Sequence, residues 1–172
     1  FLFLFIRVKF VYNKFVKIHP KFFRDLTVIL PVIDERQSLI KTVKVLLKYN
    51  SSDIKKIIFV LHKNKTKHES KVICKNYVKT KKKKFKILYQ KRKFLGGAMR
   101  DAFSVVKTTH CLMMSSDLET DPKTVKKMIT SSKKNPDKLI TASRWLNNNR
   151  FKNYGTTKVL ANYFFQKIFS YL

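Results

Sequence analysis

From Asp25 onward the chain alternates short apolar runs, rich in β-branched residues, with stretches of helical period, and few folds satisfy that alternation. The runs are Leu26 to Leu30, Ile57 to Leu61, Phe85 to Tyr89, Cys111 to Met114 and Leu139 to Ala142. They read as continuous rather than alternating, as strands do when both faces of their sheet are covered. Strands separated by helical segments build parallel βα units, so the pattern predicts an α/β fold with five strands in a mainly parallel central sheet flanked by helices. Leu39, Val43, Leu46 and Leu47 fall on one helical stripe, and Val125, Met128 and Ile129 on another; each stripe must pack on the sheet. Pro122 suits the first turn of the second helix, where its missing N–H costs nothing.

At 172 residues the chain is long enough for one buried core and too short for two ordinary domains. The expected division is an N-terminal basic and apolar segment over 1–24, followed by one domain over 25–172. Phe1 to Ile6 is apolar but is followed by Arg7 and Lys9, far short of the ~18 apolar residues a spanning helix needs. We read it as a fragment's edge or an interfacial segment. The last segment, from Thr157, carries Val159, Leu160, Tyr163, Phe164, Ile168 and Phe169 on a broad apolar face. A helix is expected there, packing on the core or, alternatively, lying on a membrane surface.

Lys and Arg number 39 against 10 Asp and Glu, a formal charge of +29 that would attract any polyanion. Most of the basic residues are lysine, and abundant Phe, Asn and Ile beside them suggest that part of the charge reflects residue usage. The Lys79 to Lys84 run reads as a solvated loop between a helix and a strand. No aromatic-basic repeat, zinc spacing or helix-turn-helix supports a nucleic-acid partner. Cys74 and Cys111 stand far apart, in no ligand or disulfide spacing, which fits a reduced cytoplasmic compartment.

In open α/β sheets ligands bind beyond the carboxyl ends of the strands, so the loops there carry the candidate chemistry. The first strand runs into Leu30-Pro31-Val32-Ile33-Asp34-Glu35, with Pro31 ending its hydrogen bonding and two acids before a helix. Those acids serve either a site or the helix start, Asp34 being a possible N-cap. The fourth strand runs into Ser115-Ser116-Asp117-Leu118-Glu119-Thr120-Asp121-Pro122, which concentrates three acids in a very basic chain. In an extended loop Asp117 and Glu119 project to one side and could share Mg²⁺ or Mn²⁺, while Asp121 caps the next helix. On spacing alone, a metal site and simple helix-start acids stand equally open.

Four stretches resemble, in order, the motifs of family 2 glycosyltransferases. Leu-Pro-Val-Ile-Asp-Glu at 30–35 is similar to that family's Pro-x-x-Asn-Glu opening, with Asp34 in place of Asn. Leu95-Gly96-Gly97-Ala98 resembles its glycine-rich helix start. Ser115 to Pro122 is similar to the Asp-x-Asp-Leu-x-x-x-Pro stretch of the branch that holds dolichyl-phosphate mannose synthases and bacterial polyprenyl-phosphate glycosyltransferases. Ala142-Ser143-Arg144 matches that branch's Gly-Ser-Arg element. The resemblance implies a GT-A type, Rossmann-like sandwich and a C-terminal part beyond this sequence. It implies that Pro31, Ile33 and Glu35 line a nucleotide pocket with Ser115 and Ser116, that Asp117 and Glu119 hold the metal, and that Arg144 meets phosphate. Gly96 and Gly97 serve either phosphate contact or close helix packing.

Two departures stand out. Ser115 replaces the first Asp of the metal motif, and Leu61-His62-Lys63-Asn64 replaces the family's acidic segment that reads the nucleobase; His62 is either a base contact or a surface histidine. The implied partners are a nucleotide-diphosphate sugar, a polyprenyl-phosphate or envelope glycan acceptor, and an anionic membrane surface at the cytoplasmic face. No general base is evident, which suits either an acceptor phosphate or a base outside these residues. The alternatives are a degenerate or truncated transferase that has lost turnover and, behind it, a basic nucleic-acid-binding protein.

Overall fold

The computed structural model describes residues 21–142, the backbone of Phe5 and Ile6, and, in a C-terminal segment, the helical residues 157, 160, 161 and 163–165. The chain divides into two compact units, Phe1–Ala142 and Ser143–Leu172. The first contains β1 (Phe5–Ile6), β2 (Leu26–Val32), α1 (Gln37–Asn50), β3 (Ile54–Leu61), α2 (His68–Thr80), β4 (Phe85–Tyr89), α3 (Phe94–Ser104), β5 (His110–Met113) and α4 (Thr124–Lys134). One sheet forms in the order β1-β5-β2-β3-β4. Its four longer strands are parallel, and β1 adds an antiparallel edge by pairing Phe5 with Met113 and Ile6 with Leu112. The expected α/β class, a Rossmann-like GT-A sandwich, is the observed one.

Continuous apolar strands are filled from both sides. Val28, Leu30, Ile57, Phe59 and Leu112 point to the face covered by Leu39, Val43 and Leu46 of α1, Cys74 of α2, and Val125, Met128 and Ile129 of α4. Ile29, Ile58, Val60, Cys111 and Met113 point the other way, onto Ala98 and Ala102 of α3. Burial pushes the Cys74 thiol up to about 12, with the Glu35 charge adding to it, so this sulfur packs rather than reacts.

Four sequence expectations change. Leu139 to Ala142 forms only a bridge at Ile140, because Leu139 and Thr141 face solvent and leave the run half covered. Strand β2 continues past Pro31, pairing Pro31 with Val60 and Val32 with Leu61. Ile29 accepts from the Met114 amide at 3.2 Å, and Pro31, two residues on, accepts the Ser116 hydroxyl at 3.3 Å, so both face β5. The missing N–H of Pro31 therefore falls beyond the last β5 rung and breaks no ladder bond. Helix α4 begins at Thr124 rather than Pro122, with Asp121 accepting from the Lys123 amide at 2.9 Å in the turn before it. Lys84, read as part of a solvated run, is half-buried and donates to the carbonyls of Ser51, at 2.8 Å, and Ile54.

The amino edge of the sheet is closed by a polar clasp. Asp25 accepts from the Thr109 amide at 2.8 Å and from Lys55 at 3.3 Å, and the Arg24 guanidinium lies 3.4 Å away. Burial pushes the Asp25 carboxyl up, but these donors together outweigh it and hold it below the usual carboxylate range. Buried His110 meets the Pro136 carbonyl through Nε2 at 2.9 Å, and burial holds its imidazole below the usual value against the opposing pull of Pro136 and Asp25.

Both shifts make acid destabilising, in separate windows. The unfolded chain protonates its histidine near pH 6.5 while the folded one resists, so the His110 contribution is intact above about 6.5 and falls below it. Asp25 contributes above about 3.9, and that contribution is lost as pH falls through its lower folded value. Urea midpoints at pH 7.5 and 5 should therefore differ in the parent chain, and His110→Phe should narrow that difference while leaving the loss below pH 4.

Candidate functional site

Because β2, β3 and β4 are parallel, their carboxyl ends lie together, and a cleft of 550 Å³ opens there. Pro31, Val32, Ile33, Val60, Phe94, Leu95 and Ala98 give it apolar walls, and His62, Lys65, Gln90 and Lys93 supply polar groups. Among the described residues no carboxylate lines it. Pro31 and Ile33, two of the residues expected to line a nucleotide pocket, do line this cleft.

Glu35 acts on the loop instead of the cleft wall. Its Oε2 accepts from the amides of Ile33 at 2.6 Å and Asp34 at 3.0 Å, curling the chain after β2 back on itself. The start of α2 fastens this turn, with Ser70 Oγ donating to the Glu35 carbonyl at 2.9 Å and Lys67 N to the Ile33 carbonyl at 2.7 Å. Thr66 Oγ1 donates to the Val32 carbonyl at 2.8 Å and accepts from the His62 amide at 2.8 Å. Asp34 stands exposed beside Arg36, 3.4 Å away, and does not cap α1.

His62 is not a loose surface histidine. Its Nδ1 accepts from the amides of Asn64 and Lys65, both at 3.1 Å, so the ring proton sits on Nε2. His62 thus stands in the cleft lining with its ring orientation fixed by the backbone.

Loop 90–93 forms the next wall. Asp101, buried in α3, accepts through Oδ2 from the amides of Lys91 at 2.6 Å and Arg92 at 2.9 Å, and pairs through Oδ1 with the Arg92 guanidinium. The Arg92 amide chiefly holds this carboxyl below its usual range against burial, with the Lys91 amide and the Arg92 side chain adding to it. A Cβ on Gly97 would lie 2.6 Å from Arg92 Cβ and 2.8 Å from its carbonyl carbon, whereas Gly96 faces open space. Close packing is therefore what Gly97 provides. The chain leaves this clamped loop through Phe94, whose φ of 60° is left-handed and costs a residue with a Cβ roughly 1–2 kcal/mol.

The acidic loop after β5 is bent rather than extended. Leu118 has φ 67°, and Asp117 Oδ1 accepts from the Glu119 amide at 2.9 Å and from the Ser115 hydroxyl. The alternation expected to align Asp117 with Glu119 is thus replaced by a turn, and both residues are exposed. Ser116 is buried and reaches the Pro31 carbonyl, so this loop sits against the β2 loop at the cleft. The Asp117 Oδ2 atom has no hydrogen bond among the described residues, and Thr120 Oγ1 is buried without a partner there. Among the described residues no three His, Cys, Asp or Glu side chains gather to hold a metal by themselves. One open carboxylate beside a cleft still fits a hard cation of the Mg²⁺ kind, which takes one or two protein oxygens and completes its shell with phosphate and water. Arg144 lies outside the described residues.

Sequence reasoning passed over Gln90, Lys93 and Phe94. They come after β4 as Ile33 and Ser115 come after their strands, so the carboxyl-end rule applied to every strand would have found them.

A parallel sheet with helices on both faces, and a cleft where its strand ends meet, defines a Rossmann-like α/β protein of the GT-A type. Residues 27–171 match the family model described as glycosyl transferase family 2, and the chain belongs to that family. Comparison with curated proteins gives no match. Membership makes it a glycosyltransferase by family, a class that works in general between a nucleotide-sugar donor and an acceptor.

Proposed function

We propose that this chain transfers a sugar from a nucleotide-diphosphate sugar to a polyprenyl-phosphate or an envelope glycan, with Mg²⁺ or Mn²⁺ assisting at Asp117. The observation that carries the reading is the Ser116–Pro31 hydrogen bond, which sets the acidic loop one residue from the lining of an apolar, basic-rimmed cleft. In this reading the apolar walls take the nucleoside, and Lys65 and Lys93 draw the phosphates in. Asp117 and Glu119, two residues apart in sequence, are the acids assigned to the cation in this reading, and Arg144 is the residue that the family motif assigns to phosphate. Asp117 would hold the cation, whose charge would help neutralise the departing nucleoside diphosphate. The bond from the anomeric carbon to the diphosphate oxygen breaks as the acceptor oxygen bonds that carbon. A phosphate acceptor is already anionic and needs no general base.

A place at the cytoplasmic face of an anionic membrane accords with the charge of +29 and with Leu160, Tyr163, Phe164 and Phe165, helical residues that are each more than half exposed. No helix among the described residues is long and apolar enough to cross a membrane. Ser115, bonded to Asp117 where the family motif has a second acid, favours one other reading, a homologue that binds donor without turnover.

Thermal shift with UDP, GDP and their sugars, each with and without Mn²⁺, tests the proposal. One nucleotide should raise the midpoint more when metal is present, and Asp117→Ala should abolish the metal-dependent part while keeping the rest. A sugar-nucleotide that stabilises the parent chain but yields no product with a polyprenyl phosphate would select the inactive homologue. No shift with any of them would remove both.

A further inference from the structure

We propose that Phe94 is the stacking platform of the cleft, a ring that holds the planar base of a nucleotide by its face and so sets how the donor is positioned. This rests on the transferase reading and goes beyond it by naming a residue outside the family motifs quoted above. Three observations converge on Phe94. It lines the cleft opposite no acid, among Pro31, Ile33 and Leu95, yet it is 84% exposed, so the ring is offered to solvent rather than spent on packing. Its backbone is left-handed, a conformation that a β-carbon opposes and glycine accepts. That conformation is imposed from outside the residue. Asp101 grips the amides of Lys91 and Arg92, Gly97 closes on Arg92, and Gln90 Nε2 donates to the carbonyls of Arg92 at 2.8 Å and Phe94 at 3.4 Å.

An exposed aromatic ring on a strained but clamped backbone gains nothing for the fold, so its value lies in what it can touch. A ring face stacks on any planar heteroaromatic base, whatever its edge groups. His62 lines the same cleft, its Nδ1 taken by the amides of Asn64 and Lys65. The Gln90 amide spends its NH₂ on the loop and keeps Oε1 without a hydrogen bond among the described residues. The cleft therefore sets a stacking face beside the donors His62, Lys65 and Lys93 and the acceptor of Gln90, a set suited to a base that carries phosphates.

The test uses the full chain and measures binding of UDP, GDP, CDP, ADP and inorganic pyrophosphate by calorimetry. Phe94→Gly removes the ring and also relieves the backbone, so it should raise the thermal midpoint while weakening the preferred nucleoside diphosphate roughly tenfold. Pyrophosphate affinity should stay unchanged. Phe94→Trp should bind at least as well as the parent chain, with its added indole fluorescence quenched by the nucleotide. Equal nucleotide affinity in Phe94→Gly and the parent overturns the platform and leaves the transferase reading standing, as does a matching loss for pyrophosphate. If the parent binds no nucleoside diphosphate, the transferase reading fails and the platform fails with it.

Discussion

Phe59→Ala should lower the stability of the first unit by about 3–5 kcal/mol, seen as a fall in the urea midpoint with little change in slope. Phe59 lies on β3, inside the sheet between β2 and β4, and is fully buried. Its ring stacks on Phe85 of β4 with centroids 5.6 Å apart and meets Tyr77 of α2 at 5.8 Å. Removing it opens a void bounded by strands on both sides and a helix above, none of which can collapse without breaking ladder bonds. Phe94→Ala is the control: an equally large side chain is lost, but from solvent, so stability should hold. A midpoint that barely moves for Phe59→Ala would mean that the sheet and α2 do not pack as described.

That contrast marks what the sequence discloses. Strands β2, β3 and β5 are legible because their inner residues must satisfy two covered faces, which leaves continuous apolar runs; the lysines Lys55 and Lys56 sit at the amino end of β3, ahead of its covered stretch. Leu139 to Ala142 looks the same locally but lies where only one side is covered, which no window of four residues can reveal. Strand β1 is invisible for a related reason. It spans two residues ahead of Arg7, and it exists only because β5 has an open edge. In the site, Pro31 and Ser116 are legible from their place at the carboxyl ends of parallel strands. The curl at Glu35 and the turn at Leu118 are not, since both arise when a side chain bonds nearby amides in place of water. His62 shows the same limit: its residue type leaves the ring's orientation open, and the amides two and three residues on fix it.

The paired glycines test the clamp behind the cleft, since sequence alone treats Gly96 and Gly97 as equivalent. Gly97→Val should cost about 3 kcal/mol, because the added carbons meet Arg92 at its Cβ and its backbone, neither of which can swing aside. Relief requires loop 90–93 to lift from α3, which would strip Asp101 of the Lys91 and Arg92 amides and free the backbone that holds Phe94. Loss of stability and loss of nucleotide binding should therefore appear together. Gly96→Ala meets nothing within 4 Å and gains helix propensity of up to about 1 kcal/mol, so it should leave binding unchanged and raise the midpoint. Equal effects at the two positions would mean that α3 does not press on Arg92. The strain at Phe94 would then have no external cause, and the shape of the cleft would have to be explained without the clamp.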